Sequence, residues 1–364
     1  MKVAIVHYWF VGMRGGEKVI EEICKIYPDA DIYSNVYDEN KVSKIIKNMS
    51  VKTTFINKLP FAKKIYQNYL PLMPMALEKL DLSGYDLIIS SESGPAKGII
   101  SDPDSVHICY CHSPMRYLWD MHSFYSKNTS FLKRFIMGPL LHYLRIWDVS
   151  TASRVDHFIA NSHFISKRIK KFYNRNSAVI HPPVKVNDFQ KSDKLENFYL
   201  MVGQLVGYKK IELAVEAFNK NGKELIIIGE GELYKKIKSI AEPNIKILGY
   251  KSFNEIKEYY SKCQALIFPG CEDFGMVPIE AMASGRPVIA YRKGGALDYI
   301  IDGKTGIFFN EQNEAELNLA IKKFEESRDS FSSSFIIDHS KNFSDQNFST
   351  LIQKFISTKV DIQQ

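Results

Sequence analysis

Short apolar runs alternate with longer amphipathic runs along almost the whole chain. In the first half, the apolar runs predict strands at residues 2–10, 31–37, 86–92, 106–112, 157–162 and 177–183. In the second half, they predict strands at residues 198–205, 224–231, 244–250, 265–270, 286–291 and 305–310. Helical patterns separate most of these runs, and the first of them, residues 15–27, has Val19, Ile20 and Ile23 at helical spacing. Apolar strands that alternate with helices are typical of parallel sheets, so the pattern predicts an α/β fold.

The two series of strands predict two domains. Residues 184–197 lie between the series, follow a Pro-Pro pair and are polar without an apolar period, so we interpret them as a linker. We therefore predict one Rossmann-like domain at 1–183 and a second at 184–345, with parallel sheets that face each other across a cleft. The last segment, 346–364, has apolar residues at helical spacing, and we expect its helix to pack back on the N-terminal domain.

Composition and charge narrow the range of partners only a little. The chain has 364 residues, a formal net charge of +7 and a sequence pI of about 8.9, which favours anionic partners such as nucleotides, phosphates, acidic lipids or nucleic acid. The number of cysteines is odd and no pair has zinc-site spacing, which suits a reduced, cytoplasmic setting. The sequence shows no export signal and no apolar run of transmembrane length, so we expect no transmembrane segment.

The stretch EDFGMVPIE, from Glu272 to Glu280, is the strongest candidate for chemistry. It follows the predicted strand at 265–270, and Pro278 suits the first turn of the helix that comes next. The two carboxylates therefore flank a helix start, near the strand ends where ligands of such sheets bind. Carboxylates accept hydrogen bonds from ribose and sugar hydroxyls, and amides at a helix start hold phosphate, so the pattern favours a nucleotide sugar. Solvated carboxylates at a helix start are the plainer alternative.

Other polar signals are weaker. Asp102 and Asp104 have the spacing of a metal-binding D-x-D pair, but the Pro between them indicates a turn, and we predict no metal site. His107 and His157 begin predicted strands, where we expect a structural or surface role.

Two segments, 59–80 and 131–154, mix apolar and basic residues. Either could lie on an anionic lipid surface as an amphipathic helix. Either could equally be a core helix with basic edges, and the sequence leaves both interpretations open.

The stretch EDFGMVPIEAMASGRPVIA, with the following GGALDYIIDGKTGIFF, resembles the E-x7-E signature of the family 4 retaining glycosyltransferases, which have the GT-B fold. Residues 202–219 resemble that family's donor-phosphate segment, and residues 226–241 its next strand and helix. Residues 15–18, GGEK, resemble the glycine loop of the acceptor domain. Residues 110–120, YCHSPMRYLWD, are similar to the histidine segment of bacterial O-antigen mannosyltransferases. The resemblance covers nearly the whole chain in order.

The resemblance implies a role for each residue that matches a family motif. Glu272 would contact the hydroxyls of the donor sugar, and Glu280 those of the ribose. Lys209 would hold the diphosphate as it leaves, and His112 would lie near the reacting carbon. The implied catalytic residues are His112, Glu272 and Lys209. The implied donor-binding residues are Gly15, Gly16, Gln204, Lys209, Lys210, Glu272, Phe274, Gly275, Met276, Val277 and Glu280.

The glycine loop, and one position where this chain differs from the family motif, add detail to these implied roles. The backbone amides of Gly15 and Gly16 would approach the β-phosphate, because glycine permits such a close approach. Where the family usually has a second phosphate-binding Arg, this chain has Gln204, which can donate a hydrogen bond but carries no charge. Lys210 or Arg14 could supply the missing charge, and the sequence leaves open which of them does.

The resemblance implies a retaining, metal-independent hexosyltransferase that uses no cofactor besides its nucleotide-sugar co-substrate. The histidine segment favours transfer of mannose from GDP-mannose to a lipid-linked saccharide acceptor, in the synthesis of O-antigen, as part of lipopolysaccharide, or of another surface polysaccharide. The N-terminal domain would bind the acceptor and the C-terminal domain the nucleotide sugar. We expect a cytoplasmic protein in peripheral contact with the anionic inner face of the cytoplasmic membrane.

The sequence is also compatible with other functions. UDP-glucose or UDP-N-acetylglucosamine are alternative donors. A nucleotide-sugar 2-epimerase would share the fold and the donor but would need no acceptor groove. Nucleic acid is not an expected partner, because the chain shows no basic run with interleaved aromatic residues on a recognisable binding module.

Overall fold

The computed structural model describes residues 1–119 and 131–360, without the side chains of residues 131–137. The chain divides into two units. The first unit comprises Met1–Pro182 and the C-terminal helix from Phe348 onward, and the second comprises Pro183–Asn347. Within the described residues, each unit is built on a parallel β-sheet.

The sheet of the first unit has seven strands in the described part of the chain. These strands are β1 (Val3–His7), β2 (Asp31–Ser34), β3 (Ser50–Thr53), β4 (Leu87–Glu92), β5 (Val106–Cys111), β6 (His157–Ala160) and β7 (Ser177–Val179). Their order across the sheet is β3-β2-β1-β4-β5-β6-β7. The chain therefore winds outward in one direction from β1 and in the other direction from β4, and these two strands are parallel neighbours. The loops that follow two such strands diverge, which leaves room for a ligand at their carboxyl ends.

The sheet of the second unit follows the same plan, with six strands among the described residues. These strands are β8 (Tyr199–Val202), β9 (Leu225–Ile228), β10 (Ile245–Ile247), β11 (Leu266–Phe268), β12 (Val288–Tyr291) and β13 (Gly306–Phe309). Their order is β10-β9-β8-β11-β12-β13, so the winding changes direction between β8 and β11.

Helices cover both faces of the sheets. In the first unit they are α1 (Gly15–Ile26), α2 (Lys44–Lys47), α3 (Ala62–Ile65), α4 (Met73–Glu78), α5 (Phe131–Thr151) and α6 (His163–Tyr173). In the second unit they are α7 (Ile211–Asn221), α8 (Tyr234–Ile240), α9 (Phe253–Lys262), α10 (Val277–Ala283), α11 (Ala296–Tyr299), α12 (Glu314–Glu326) and α13 (Ser333–Ser340). The last helix is α14 (Asp345–Val360).

Alternate side chains of a strand point to opposite faces, and each face has its own core. In β1, Ile5 packs with Ile20 and Ile23 of α1. Its neighbour Val6 belongs to the core on the other face, together with Leu77 of α4. Strands buried on both faces are therefore rich in apolar residues, which is why they stand out in the sequence.

The predicted α/β fold with two Rossmann-like parallel sheets is confirmed. Each apolar run that predicts a strand contains one. Strand β3 was not predicted, and its residues alternate between exposed and half-buried positions at the edge of the first sheet. An edge strand of this kind carries no continuous apolar run, so its sequence resembles a loop.

The segment 184–197, which the sequence analysis interprets as a linker, belongs to the second unit. Val184, Val186 and Phe189 are buried in the core of that unit. The amide of Val184 donates a hydrogen bond to the carbonyl oxygen of Phe343 at 3.0 Å. These apolar residues follow an irregular path rather than a helix or strand, so their spacing in the sequence shows no period.

Helix α5 occupies most of the basic and apolar segment 131–154. Leu144 and Trp147 are buried in the core of the first unit. Tyr143 and Ile146 are exposed, at 51% and 57% of their surface. From residue 138 onward, the helix therefore has both a core face and an exposed apolar face. None of the helices in the described part of the chain is both long enough and apolar enough to cross a membrane.

Helix α14 brings the end of the chain into the core of the first unit. Phe348, Ile352 and Ile356 are buried there at helical spacing. The Phe348 ring lies 5.9 Å from the ring of Tyr110 in β5, in an edge-to-face arrangement. Leu351, which flanks this buried stripe on the same helix, is 39% exposed. The helix therefore stabilises the first unit through one apolar face.

We expect Phe348→Ala to lower the free energy of unfolding of the first unit by about 3–5 kcal/mol, because it removes a buried ring and leaves a cavity. Tryptophan fluorescence during urea unfolding measures this unit, because all three tryptophans of the chain lie before residue 150. The matched control is Leu351→Ala, which we expect to change stability by about 0.5 kcal/mol or less. Equal losses in the two variants would contradict the packing described for α14.

Candidate functional site

The carboxyl edge of the second sheet is a surface of closely packed backbone. Gly203, Gly229 and Gly270 follow the ends of β8, β9 and β11. A Cβ atom on Gly229 would lie 1.9 Å from the carbonyl oxygen of Gly203, and one on Gly270 would lie 2.9 Å from the Cα atom of Lys209. Any side chain at these positions would force the loops apart, so glycine is required for this edge to close.

Lys209 and Glu272 form an ion pair at this edge. Lys209 Nζ lies 2.9 Å from Glu272 Oε1, and their side chains are 14% and 19% exposed. Gly203 has a φ of +147°, and a Cβ atom there would lie 2.9 Å from Lys209 Nζ. Glycine therefore provides the space that the ammonium group occupies. The structure brings together two predicted site residues that are far apart in the sequence, and both remain accessible to a ligand.

The ammonium group of Lys209 keeps its charge at neutral pH. Burial lowers the pKa of Lys209, but the carboxylates of Glu272 and Glu280 outweigh burial, so the pKa lies above its usual value. A protonated lysine that is only partly exposed is a suitable partner for a phosphate group.

The loop that carries Glu272 is fixed through its backbone. The carbonyl oxygen of Glu272 accepts a hydrogen bond from the Gly295 amide at 2.9 Å. The carbonyl oxygen of Phe274 accepts one from the Tyr299 hydroxyl at 3.0 Å. Gly275 has a φ of +86°, a left-handed conformation that favours glycine, and it turns the chain toward α10. The Glu272 side chain is thus presented by a rigid turn.

Glu280 lies in the first turns of α10 and is buried. The hydroxyl of Tyr260, in α9, donates a hydrogen bond to Glu280 Oε2 at 2.9 Å. Burial and the neighbouring Glu280 carboxylate raise the pKa of Tyr260 well above its usual value, so the hydroxyl remains a donor. The position of Glu280 is therefore set by a second helix. Pro278 occupies the start of α10, as predicted.

The remaining predicted residues of this unit differ in exposure. Phe274 is buried and packs in the core against Tyr299, and Met276 packs against the same core. Val277 is the first residue of α10. Gln204 and Lys210 are exposed. The Phe274 ring is therefore part of the core.

The carboxyl edge of the first sheet holds the other predicted residues. Gly15 opens α1, and the Glu17 carboxylate accepts a hydrogen bond from the Arg14 amide at 3.0 Å at the start of that helix. A Cβ atom on Gly16 would lie 3.6 Å from His112 Nε2. Gly16 and His112 come from separate motifs, and the fold makes them neighbours.

Two residues that were not predicted from the sequence, Ser91 and His7, lie beside His112. Ser91 Oγ lies 2.9 Å from His112 Nε2 and 3.0 Å from His7 Nδ1. Burial lowers the pKa of His112 to about 4, and burial together with His112 lowers the pKa of His7 well below its usual value, so both rings are neutral at pH 7. The available signal was a polar residue, His7, that ends an apolar strand just before a glycine loop.

A buried ion network lies behind His112 and was also missed. Lys97 Nζ lies 3.4 Å from Glu92 Oε1 and forms an ion pair with Asp148, and all three side chains are fully buried. Asp148 also accepts a hydrogen bond from Trp119 Nε1 at 2.8 Å. Burial raises the pKa of Glu92 to about 7. The amide of His112 donates to the carbonyl oxygen of Glu92 at 2.7 Å, so the network supports the histidine segment, whose last residue lies outside the described residues.

The weaker sequence candidates have structural roles. The Asp102 carboxylate accepts a hydrogen bond from the Gly84 amide at 2.9 Å in a turn. His107 is buried, with Nε2 2.8 Å from Ser90 Oγ and Nδ1 3.0 Å from the carbonyl oxygen of Arg154.

Solved structures place the fold in the class of two-domain α/β proteins with the GT-B architecture. The chain is similar to Anabaena Alr3699/HepE, whose structure is in complex with UDP and glucose, with a TM-score of 0.72 at 18% identity, over 98% of this chain and 99% of that one. It is also similar to the lipopolysaccharide outer core galactosyltransferase WaaB in its apo form, with a TM-score of 0.69 at 16% identity, over 99% of this chain and 100% of that one.

Two family models match the chain in tandem. Glycosyltransferase Family 4 matches residues 13–188, and Glycosyl transferases group 1 matches residues 185–343. The chain therefore belongs to the family 4 glycosyltransferases with the GT-B fold.

Sequence relatives agree with this assignment. The glycosyltransferase MJ1178 of Methanocaldococcus jannaschii is 27% identical over 331 residues, which cover 87% of this chain and 86% of the relative. The O-antigen chain mannosyltransferase RfbU of Salmonella typhimurium is 30% identical over 206 residues, 52% of this chain and 57% of the relative. The alpha-1,3/1,6-mannosyltransferase ALG2 of Dictyostelium discoideum is 26% identical over 253 residues, 55% of this chain and 57% of the relative. The chain thus spans little more than half of these two mannosyltransferases.

We expect Tyr260→Phe to lower the free energy of unfolding of the second unit by about 1–3 kcal/mol, because Glu280 loses a donor in a buried position. Circular dichroism during urea unfolding measures the loss. The adjacent Tyr259 provides the control, because its hydroxyl has no hydrogen-bond partner among the described residues, and Tyr259→Phe should change stability by about 0.5 kcal/mol or less. If the two variants behave alike, the bond from Tyr260 does not hold Glu280.

Proposed function

We propose that this glycosyltransferase is a retaining hexosyltransferase that moves mannose from GDP-mannose to a lipid-linked oligosaccharide, in the synthesis of O-antigen or another bacterial surface polysaccharide. The observation that carries the proposal is the ion pair between Lys209 and Glu272 at the carboxyl edge of the second sheet. The names of the relatives RfbU and ALG2, both mannosyltransferases, support mannose as the sugar.

The ion pair matches the junction between the two parts of a nucleotide sugar. At the anomeric carbon, a phosphate group and a ring with hydroxyls are neighbours. The ammonium of Lys209 suits the phosphate, and the carboxylate of Glu272, 2.9 Å away, suits the sugar hydroxyls. When the glycosidic bond breaks, negative charge grows on the phosphate, and Lys209 is positioned to stabilise it. We propose that this cation replaces a metal ion and that the donor phosphate assists departure on the same face, which gives retention.

Glu280 suits the ribose in this proposal. Its carboxylate is fixed by Tyr260 and lies eight residues after Glu272, beyond the turn at Gly275. Ribose hydroxyls donate well to a carboxylate held in place. The exposed Gln204 and Lys210 are the candidates for the remaining phosphate contacts, with backbone amides at residues 274–277.

The first unit is proposed to bind the acceptor and to contribute His112 to the reacting sugar. His112 is neutral at pH 7, so its ring is suited to form hydrogen bonds with sugar hydroxyls and carries no charge that would attract the phosphate. The amides of Gly15 and Gly16, at the start of α1, are proposed phosphate contacts.

A UDP-sugar is the second candidate donor. Solved structures of Anabaena Alr3699/HepE contain UDP and UDP-glucose, and their fold is similar to this one. The relative affinities of GDP and UDP distinguish this candidate from GDP-mannose.

Calorimetric titration against GDP, UDP, GDP-mannose and UDP-glucose tests the proposal. We expect GDP-mannose to bind, and Glu280→Gln to weaken GDP itself by about 10- to 100-fold, because a charged acceptor for the ribose is lost. Glu272→Gln should leave GDP binding nearly unchanged and remove the additional affinity that the mannose provides.

The two glutamates serve as controls for each other in this titration. If the protein prefers UDP and UDP-glucose, the proposed donor is wrong but the proposed site is retained. Equal effects of both substitutions on GDP would contradict the assignment of Glu272 to the sugar. Binding of none of the four ligands would refute the proposed donor class.

The first unit also carries exposed apolar side chains that suit peripheral contact with a membrane. Phe61, Ile65 and Met75 are 73%, 39% and 45% exposed in the segment 59–80. Lysines accompany them in the same segment, at positions 63, 64 and 79. Apolar side chains beside basic ones favour anionic lipid, and the acceptor is proposed to be linked to lipid.

We expect the protein to sediment with vesicles that contain phosphatidylglycerol. The double substitution Phe61→Ser and Met75→Ser should weaken this binding about 10-fold or more, because two exposed apolar side chains no longer enter the lipid. Leu319→Ser is the control, because Leu319 is 60% exposed but lies in the second unit. Vesicle binding that is absent, or equally weakened by the control, would argue against membrane contact through these side chains.

A further inference from the structure

A series of polar side chains leads through the first unit to His112. Ser91 Oγ lies between His112 Nε2, at 2.9 Å, and His7 Nδ1, at 3.0 Å. On the other side of the His7 ring, Glu17 Oε1 lies 4.0 Å from Nε2. His7, Ser91 and Glu17 are buried, so bulk water does not compete for these contacts. We call Glu17, His7 and Ser91 the histidine relay.

We propose that the histidine relay holds His112 in the tautomer with its proton on Nε2, so that Nδ1 accepts a hydrogen bond from a hydroxyl of the reacting sugar. The second half of this inference rests on the proposed function, which brings a sugar to His112. Glu17, His7 and Ser91 act on His112 and are therefore positioning residues.

The position of each proton follows from its neighbour. The Glu17 carboxylate faces His7 Nε2 and favours a proton there, because a bare nitrogen would direct its lone pair at a negative charge. The distance of 4.0 Å exceeds a hydrogen bond, so this step is electrostatic. His7 Nδ1 is then an acceptor for the Ser91 hydroxyl. The Ser91 oxygen in turn accepts a hydrogen bond from the N–H at His112 Nε2, and His112 Nδ1 is left as an acceptor.

The groups around the relay permit this arrangement. Both histidines are neutral at pH 7, as the relay requires. The pKa of Glu17 lies above its usual value, because burial outweighs the opposing effects of the Glu17 and Arg14 amides and of the Arg14 charge. Tyr8, whose ring centroid lies 4.0 Å from that of His7, has a pKa raised by burial and by Glu17, and it stays protonated.

The ring of His112 is available to a ligand on its other side. In the part of the chain that the structure describes, Ser91 is the hydrogen-bond partner of Nε2, and Nδ1 has none. A Cβ atom on Gly16 would lie 2.9 Å from the Tyr8 hydroxyl and 3.4 Å from His7 Cε1. Glycine at position 16 therefore keeps the relay from being displaced by a side chain.

Strand β4 also carries a second serine–histidine pair, which provides an internal control. Ser90 Oγ lies 2.8 Å from His107 Nε2, and His107 Nδ1 lies 3.0 Å from the carbonyl oxygen of Arg154. A carbonyl can only accept, so His107 must carry its proton on Nδ1. The two histidines are therefore expected to be opposite tautomers, and each contacts one of two adjacent serines.

Long-range nitrogen–proton NMR spectra of protein labelled with 15N-histidine distinguish the tautomers directly. In the wild type without ligand we expect His112 protonated on Nε2 and His107 on Nδ1. Glu17→Gln places an amide donor beside His7 Nε2, so we expect it to reverse the relay and move the His112 proton to Nδ1. In a Ser91→Ala background, Glu17→Gln should no longer affect His112. Ser90→Ala is the control and should leave His112 unchanged.

Transfer from GDP-mannose, or from UDP-glucose if that is the donor, gives the second readout. We expect Glu17→Gln and Ser91→Ala to lower kcat roughly ten-fold, the value of one hydrogen bond in the transition state, and Ser90→Ala to leave it nearly unchanged. An unaltered kcat in a protein whose His112 tautomer has changed would overturn the contact with the sugar.

The NMR spectra test the histidine relay directly. A wild-type His112 with its proton on Nδ1 would overturn it, and this measurement needs no variant to fold. A His112 tautomer that does not respond to Glu17→Gln would overturn the role of Glu17. If neither donor is used, the proposed function fails, but the tautomers of the free protein still test the relay.

Discussion

The parallel direction of the strands is the constraint on which both candidate sites depend. In a parallel sheet every connection must return to the starting edge, so the carboxyl ends of all strands collect at one edge. Lys209 follows β8 and Glu272 follows β11, yet their charged atoms lie 2.9 Å apart. His7 and Ser91 are separated by 84 residues and share a hydrogen bond. The chemistry of each unit is thus assembled by topology rather than by local sequence.

Close packing of backbone at that edge makes the assembly rigid. Gly203 and Gly229 approach so closely that a Cβ atom would overlap a carbonyl oxygen. The same loops carry Lys209 and Glu272, and Gly203 leaves space for the Lys209 ammonium group. The conformational entropy of a rigid edge is lost when the chain folds, so little more is lost when a ligand binds. Such an edge suits a site that presents a cation and a carboxylate together.

The sequence predicted those parts of the molecule whose physical cause is local. Buried parallel strands are rich in apolar residues, so they could be located, whereas β3 at the sheet edge could not. The stretch around Glu272 and Glu280 was evident because carboxylates, a glycine and a proline occur together. His7 is one polar residue at the end of an apolar strand, and Ser91 is one of three polar residues that end β4. Both were missed because their contact depends on strand order. Val184, Val186 and Phe189 were not recognised as core residues because their spacing follows no period.

His112 shows how the fold can orient one side chain from two directions. Its amide donates to the carbonyl oxygen of Glu92, and its ring contacts the hydroxyl of Ser91, so adjacent residues of β4 fix both its backbone and its side chain. The Glu92 side chain is in turn paired with the fully buried Lys97. Breaking a buried ion pair is costly, so this support resists displacement. A neutral imidazole donates a hydrogen bond from one nitrogen and accepts one at the other. Contacts that fix which nitrogen does which distinguish a positioned histidine from one that only fills space.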